Sequence, residues 1–464
     1  MPPERLTALD ASFLYLERPA MHMHVAALSV FDPSSRPDGR LRHDDVAGVI
    51  ASRLHLAPRF RRKVVMVPGH LGLPVWVDDP RFDLEFHVRH SALPSPGGRR
   101  ELTDTVQRVL SRPLDRTKPL WELYVIEGLE EGHVATLLKV HHAMIDGVSG
   151  MQLAAVLYDV DPTPTEPPAP PRWSPEPEPP GVDLVREAVL RQITHPVQAV
   201  LDGADQVMHA PVMTAIGLGA IASGVRSILG MGARPPSPLD VAIGPNRRFA
   251  ITEAPLQRFK DVKDALGGTV NDVVLTVVAG ALHQLLKARR EPSRGRTLRV
   301  MVPVSVRTGA DDRVGNRVAP AFVDVPVGAM SAKRRLAEVR KGTGFLKDSM
   351  MALGADAIIG LGAYAPGGLL AAAARAVSRG RWFNLVVSNI PGPGQPMYLA
   401  GARLVASYPS MPLGENSALS IACSSLGGVM AFGLTGDWDG MPDIHLLATA
   451  IDDSLNDICK AAGV

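Results

Sequence analysis

The sequence predicts an α/β protein built as two halves joined by a long crossover. At 464 residues the chain exceeds the roughly 250–300 residues at which a single hydrophobic core stops growing. Short β-like runs alternate with charged helical stretches both early and late in the chain, the pattern of sheets covered by helices. Between them, 161–180 (DPTPTEPPAPPRWSPEPEPP) is half proline, which bars helix and inner strand and favours extended polyproline conformation. The expected domains are therefore a first half, 1–160, a Pro-rich linker, 161–181, a helical crossover, 182–233, and a second half, 234–464.

In the first half Val25–Phe31, Val75–Val77, Trp121–Glu127 and His133–Val140 read as strands. A helix is expected over Gly150–Tyr158, and the zone Val182–Met231 reads as helical. In the second half the strand candidates are Leu298–Val306, Ala319–Val325, Leu385–Ser388, Ala418–Ser424 and Val429–Thr435. The apolar run VVLTVVAGALHQLL reads as a buried helix, with Asn271 as its N-cap and Asp272 at its positive end.

Composition excludes several classes. The chain is 46% hydrophobic and 21% charged, too apolar for disorder. Lys plus Arg (49) against Asp plus Glu (47) leaves +2, so there is no broad cationic field for a phosphate backbone, and nucleic acid is not an expected partner. Cys423 and Cys459 are too few for a disulfide framework or a four-thiolate metal site and suit a reducing compartment. Glu4, Arg5 and Asp10 replace the basic-then-apolar start of a secretory signal, so a cytoplasmic location is expected. Gln206–Val225 and Ala357–Ala374 lack charges, but they are built from Gly and Ala and broken by Pro211 and by Pro366, Gly367 and Gly368. Buried or interfacial helices fit them better than membrane spans.

Chemistry concentrates where the strand HVATLLKV runs into His141, His142, Ala143, Met144, Ile145, Asp146 and Gly147. A strand leading through an ordered loop to a helix is a common place for reactive groups. Adjacent residues leaving a strand point to opposite sides, so the two histidines have different jobs and one faces a site. Imidazole titrates near working pH, which suits it as general base toward an alcohol. Asp146 can hold the loop by pairing with a cation, and Gly147 permits a turn that a side chain would obstruct. Two satisfied strand-end histidines are the bland alternative. A zinc site is the other, but the stretch lacks the four-residue histidine spacing with an intervening glutamate, and no third ligand cluster stands out.

The string HHAMIDG matches HHxxxDG, the active-site motif of acyltransferases that resemble chloramphenicol acetyltransferase, peptide-synthetase condensation domains among them. Four further segments narrow the resemblance: LDASFLYLE…MHMHV at the start, Pro119, Leu120 and Trp121 (PLW), Asn271 and Asp272 (ND), and SNIPGP at Ser388–Pro393. Together they make the chain resemble a bacterial wax ester synthase/diacylglycerol acyltransferase from Leu9 to its last strands. The resemblance implies two chloramphenicol-acetyltransferase-like α/β domains with the active-site channel between them. It implies long-chain acyl-CoA as donor and diacylglycerol or a long-chain alcohol as acceptor, with His142 as general base and no acyl-enzyme. No cofactor is implied beyond acyl-CoA as co-substrate, and no metal.

The candidate catalytic set is His142, His141 and Asp146. Gly147, Arg307, Asn271, Asp272, Pro119 and Trp121 are structural or site-shaping, with residues that bind coenzyme A unassigned. Arg307 ends the strand LRVMVPVSV and is expected to pair with Asp146, Arg317 being its competitor. Trp121 is expected to pack, Pro391, Gly392 and Pro393 to turn the chain, and His22 and His24 to pack or to wall the site. The run Arg59, Arg61, Arg62, Lys63 is either a solvated face or a receiver of coenzyme A phosphates. Substrates of this kind imply peripheral attachment to the inner face of the plasma membrane or to lipid inclusions. A carrier-protein-dependent condensation enzyme and a non-catalytic lipid-surface protein are the alternatives.

Overall fold

The computed structural model describes residues 3–144, 156–165, 167–169, 172–190, 234–305, 318–353 and 381–464. Its first strands are β1 (Glu4–Arg5), β2 (His24–Asp32), β3 (Arg62–Val65), β4 (Val75–Asp78), β5 (Val88–Ala92), β6 (Trp121–Glu127) and β7 (Val134–His141). Among them lie helices α1 (Ala8–Leu16), α2 (His43–Arg53), α3 (Leu84–His87) and α4 (Arg99–Leu110). The later elements are β8 (Arg247–Pro255), α5 (Leu256–Leu266), α6 (Val270–Ala288), β9 (Thr297–Ser305), β10 (Val318–Pro326) and α7 (Ala332–Leu353). They end with β11 (Leu385–Pro391), β12 (Tyr398–Leu399), β13 (Ala402–Ser410), β14 (Leu419–Leu426), β15 (Val429–Asp437) and α8 (Ile444–Ala462).

Two six-stranded sheets organise these elements, in the orders β12-β13-β2-β7-β6-β5 and β10-β9-β11-β14-β15-β8, with a small sheet β1-β4-β3 beside the first. Each strand expected from the sequence is present within a residue or two, except that β11 runs three residues further, to Pro391. The first sheet is completed by strands from late in the chain. β13 pairs antiparallel with β2, from Arg403 opposite Asp32 to Ser410 opposite Ala26.

Where the sheets meet, Ala26, Leu28 and Leu137 pack with Tyr408, Phe249, Ile251 and Ala431 and with Leu102 and Val106 of α4. Burying such side chains contributes about 1.5–3 kcal/mol apiece for the larger ones. Gly433 of β15 passes so close to β13 that a Cβ there would sit 1.9 Å from the Pro409 carbonyl oxygen, so only glycine fits. The second sheet is covered by α6, which is buried from Asp272 to Leu282. Among the described residues no single helix is long and apolar enough to cross a membrane; α5 and α6 reach that composition only together, bent by 103°. Gln206–Val225 and Ala357–Ala374 lie outside the described residues. The proline-rich stretch meets the small sheet through Glu178, 2.8 Å from Lys63 of β3, and Trp173 lies beneath the guanidinium of Arg61, the residue before β3.

Candidate active site

β7 carries the paired histidines to the junction of the two sheets. Held between β2 and β6, it sets His24 opposite His141 and Trp121 opposite Val140. The sheet ends at His141, and His142 opens a single 3-10 turn, His142–Met144. Two main-chain bonds fix the exit: His141 N–H donates to the Leu120 carbonyl at 2.9 Å, and His142 N–H to the Met23 carbonyl at 2.7 Å. Met23 in turn packs with Met21, Ile243 and Leu413, two of them from the second half of the chain.

The two rings have different surroundings. His141 is fully buried. Its Nδ1 accepts the Ala143 N–H at 3.1 Å, which assigns the proton of the neutral ring to Nε2. That Nε2 is sealed from water without a hydrogen bond, 3.7 Å from Glu17 Oε1. Burial, and then the charge of Arg116, push the His141 pKa down to about 3.

His142 keeps part of its surface exposed, and Phe13 of α1 stacks on its ring, centroids 3.9 Å apart and planes 21° from parallel. Its Nδ1 is enclosed without a hydrogen-bond partner among the described residues. Burial pushes the ring's pKa down to about 4. His142 is therefore neutral near pH 7, and a neutral imidazole keeps a lone pair on one of its ring nitrogens. A neutral ring of this kind can accept a proton.

Around the pair lies a set of buried ionisable groups. Burial raises the pKa of Glu17, against the charges of Arg116, 3.8 Å away, and Lys139. Lys139 is completely buried; it donates to the Val109 and Arg112 carbonyls at 3.3 and 2.9 Å, at the end of α4, and stands 3.4 Å from Glu122. His22 and His24 stack with centroids 5.5 Å apart, and His22 Nε2 donates to the Pro245 carbonyl at 3.1 Å. Arg247 reaches back to the Ala20 carbonyl, a second tie between the halves. Beside α1 a cleft of about 340 Å³ is lined by Leu14, Tyr15, Val64, Met66, His70, Arg116 and Leu120.

The remaining motif residues sit in supporting positions. Pro119 is buried and its carbonyl accepts the Trp121 N–H at 2.9 Å. Trp121 is buried too; its indole N–H donates to the Phe60 carbonyl at 2.8 Å, and His87 stacks on its face at 4.6 Å. Asn271 is not the N-cap of α6. That position belongs to Thr269, whose hydroxyl accepts the Asp272 N–H while the Asp272 carboxylate accepts the Thr269 N–H at 2.7 Å. The Thr-x-x-Asp spacing makes the reciprocal bonds that an asparagine two positions later cannot. Asp272 also accepts the Thr343 hydroxyl at 2.7 Å, tying α6 to α7. Among the described residues no hydrogen bond or ion pair joins Asn271 or Asp272 to either histidine of the pair.

In the SNIPGP segment Gly392 allows close approach to β14, since a Cβ there would lie 2.0 Å from the Ser425 carbonyl oxygen. The basic run is neutralised within the protein: Arg59 and Arg62 both pair with Glu4, and Arg62 also with Asp78. Asp146, Gly147, Arg307 and Arg317 lie outside the described residues, and with them the expected Asp146–Arg307 pair. Sequence reasoning assigned no role to Phe13, Glu17, Met23 or Arg116. An acidic residue closing the apolar helix FLYLE was the available signal for Glu17.

Residues 6–274 match the wax ester synthase/diacylglycerol acyltransferase catalytic domain, and residues 314–459 match the WS/DGAT C-terminal domain. A Mycobacterium tuberculosis protein named a probable diacylglycerol O-acyltransferase is 33% identical over 462 residues, covering 98% of each chain. Another protein of that organism with a diacylglycerol O-acyltransferase name is 31% identical over 472 residues, covering 99% of this chain and 91% of its own. Among solved structures, the wax ester synthase/diacylglycerol acyltransferase of Marinobacter aquaeolei VT8 superposes with a TM-score of 0.71 at 27% identity, covering 99% of this chain and 100% of its own. The first condensation domain of the calcium-dependent antibiotic synthetase shares the fold, with a TM-score of 0.56 at 16% identity over 100% of this chain and 97% of that one. The chain belongs to the wax ester synthase/diacylglycerol acyltransferase family of acyltransferases.

Proposed function

We propose that this protein moves a long-chain acyl group from acyl-CoA to diacylglycerol, to a long-chain alcohol, or to both, with His142 as general base. The observation that carries the reading is the placing of the His142 ring: at the exit of β7, stacked on Phe13 and held neutral by its burial, so that a ring nitrogen keeps a lone pair. In the reaction Nε2 takes the hydroxyl proton as the alcohol oxygen attacks the thioester carbonyl carbon. The tetrahedral oxyanion collapses, the carbon–sulfur bond breaks, and the sulfur leaves with the electron pair. The imidazolium returns its proton to that sulfur, giving ester and free coenzyme A without an acyl-enzyme.

His141 and Asp146 support this base rather than share its role, and the Asp146–Arg307 pair with Gly147 holds the loop. The names of the relatives and of the Marinobacter structure support the substrate classes. Such substrates reside in lipid, so the protein works from the cytoplasmic side, peripherally attached to the inner face of the plasma membrane or to lipid inclusions.

The test is to incubate purified protein with labelled palmitoyl-CoA and either dioleoylglycerol or hexadecanol, following ester and free coenzyme A together. Equal amounts of both products support the reading, and the acceptor consumed separates triacylglycerol from wax ester synthesis. A folded protein that makes no ester from either acceptor contradicts it and directs attention to carrier-bound donors.

A further inference from the structure

We propose that Glu17 is a positioning residue of the acyl-transfer site: its carboxylate takes the Nε2–H of His141 and the main-chain N–H of Met23, and so fixes the segment that presents His142. This rests on His142 being the base of the proposed reaction. Three observations converge on it. The Ala143 N–H occupies Nδ1 of His141, so the ring's own proton is on Nε2. That Nε2–H is buried and unsatisfied, an unfavourable state for a donor, and Glu17 Oε1 stands 3.7 Å from the nitrogen. The same oxygen accepts the Met23 N–H at 3.4 Å, while the Met23 carbonyl accepts the His142 N–H at 2.7 Å.

Glu17 thus lies beside the ring of His141 and is linked to His142 through a single intervening residue. It follows directly on α1, whose Phe13 lies on the His142 ring, and the Glu17 N–H bonds back to the Phe13 carbonyl at 3.2 Å. A closure of under about 1 Å brings Oε1 into hydrogen-bond range of His141 Nε2. Arg116, 3.8 Å from the other carboxylate oxygen, favours the charged form that accepts both protons.

The experiment compares Glu17→Ala and Glu17→Gln with wild type by steady-state kinetics and by 15N NMR of the histidine rings. Glu17→Ala is expected to lower kcat by about 10–100-fold, with KM for both substrates held within about 2-fold. Glu17→Gln keeps an acceptor oxygen and is expected to retain kcat within about 5-fold of wild type. The NMR signature is a hydrogen-bonded Nε2–H of His141 in wild type and Glu17→Gln that is lost in Glu17→Ala. Unchanged kcat in folded Glu17→Ala overturns the proposal, as does equal loss in both variants. If Glu17→Ala does not fold, an exchange-labile, unbonded Nε2–H in wild type and Glu17→Gln overturns it. If wild type makes no ester, the proposed reaction fails while the ring signature still decides whether Glu17 holds His141.

Discussion

Phe13 lies flat on the imidazole of His142, with 3.9 Å between ring centroids. The contact does two things for the base proposed above. It fixes the ring plane, and it offers a π face to the imidazolium that forms when the base takes a proton. Stacked aromatic pairs contribute about 0.5–1.5 kcal/mol beyond their buried area. Phe13→Leu should therefore lower kcat by about 2–10-fold with little change in KM, since the lost interaction is strongest in the transition state. Steady-state kinetics with saturating acceptor check this, and a pure KM effect would assign Phe13 to substrate binding instead.

Asp272 gives a contrasting expectation. It closes the capping box of α6 and holds the Thr343 hydroxyl of α7. Asp272→Ala should lower stability by about 1–3 kcal/mol. The kcat of the molecules that remain folded should be unchanged. Urea unfolding beside activity per folded molecule separates the two, and loss of kcat without loss of stability would place Asp272 in the substrate pocket.

Lys139 tests the ground beneath the histidines. Its ammonium is completely buried against Glu122 and two carbonyls at the end of α4. Lys139→Met leaves those carbonyls and the Glu122 charge without it, although Arg89 at 3.2 Å and Tyr124 at 3.0 Å remain on the carboxylate. A loss of about 3 kcal/mol is expected, at the low end for breaking a buried pair. Thermal or urea unfolding measures it.

Acid should destabilise the protein through its buried histidines. Burial pushes His87 and His142 down to about 4 and His141 to about 3. An unfolded imidazole titrates near about 6.5, so below that pH the unfolded chain binds more protons than the folded one. Stability held above about pH 6.5 is then lost as pH falls toward the folded values. Urea midpoints should fall steeply from about pH 6.5 to about pH 4. His87→Phe should flatten that slope while costing some stability at neutral pH, because the His87 bond to the Trp121 carbonyl at 2.7 Å goes with it.

The elements with strong local signals were legible in the sequence. The buried strand HVATLLKV and the pair at its end stand where β7 and its turn are, because an apolar run with β-branched residues admits little else. β13 and its pairing with β2 were not legible. ARLVASYPS is interrupted by Arg403, Ser407 and Pro409, and a strand of the second half joining the first sheet is decided by contacts hundreds of residues apart in the chain. The Thr269 cap could have been read, since Thr-x-x-Asp before an apolar run is a capping box. Asn271 drew attention because it belongs to the ND segment. Within the site, the residue types were legible and their environments were not: nothing in the string HH says that one ring faces Ala143 and Glu17 and the other Phe13. Phe13 and Glu17 come from α1 and its end, placed there by packing, and Ala143 from the turn that follows β7.

The proposed role of His142 as base is measured by single-turnover ester formation from acyl-CoA by His142→Ala beside wild type. Each should first be shown to be folded by its unfolding midpoint. The expected result is a fall of about 100-fold or more in the rate of ester formation, with binding of acyl-CoA nearly unchanged. An His142→Ala protein that forms ester at close to the wild-type rate would contradict it.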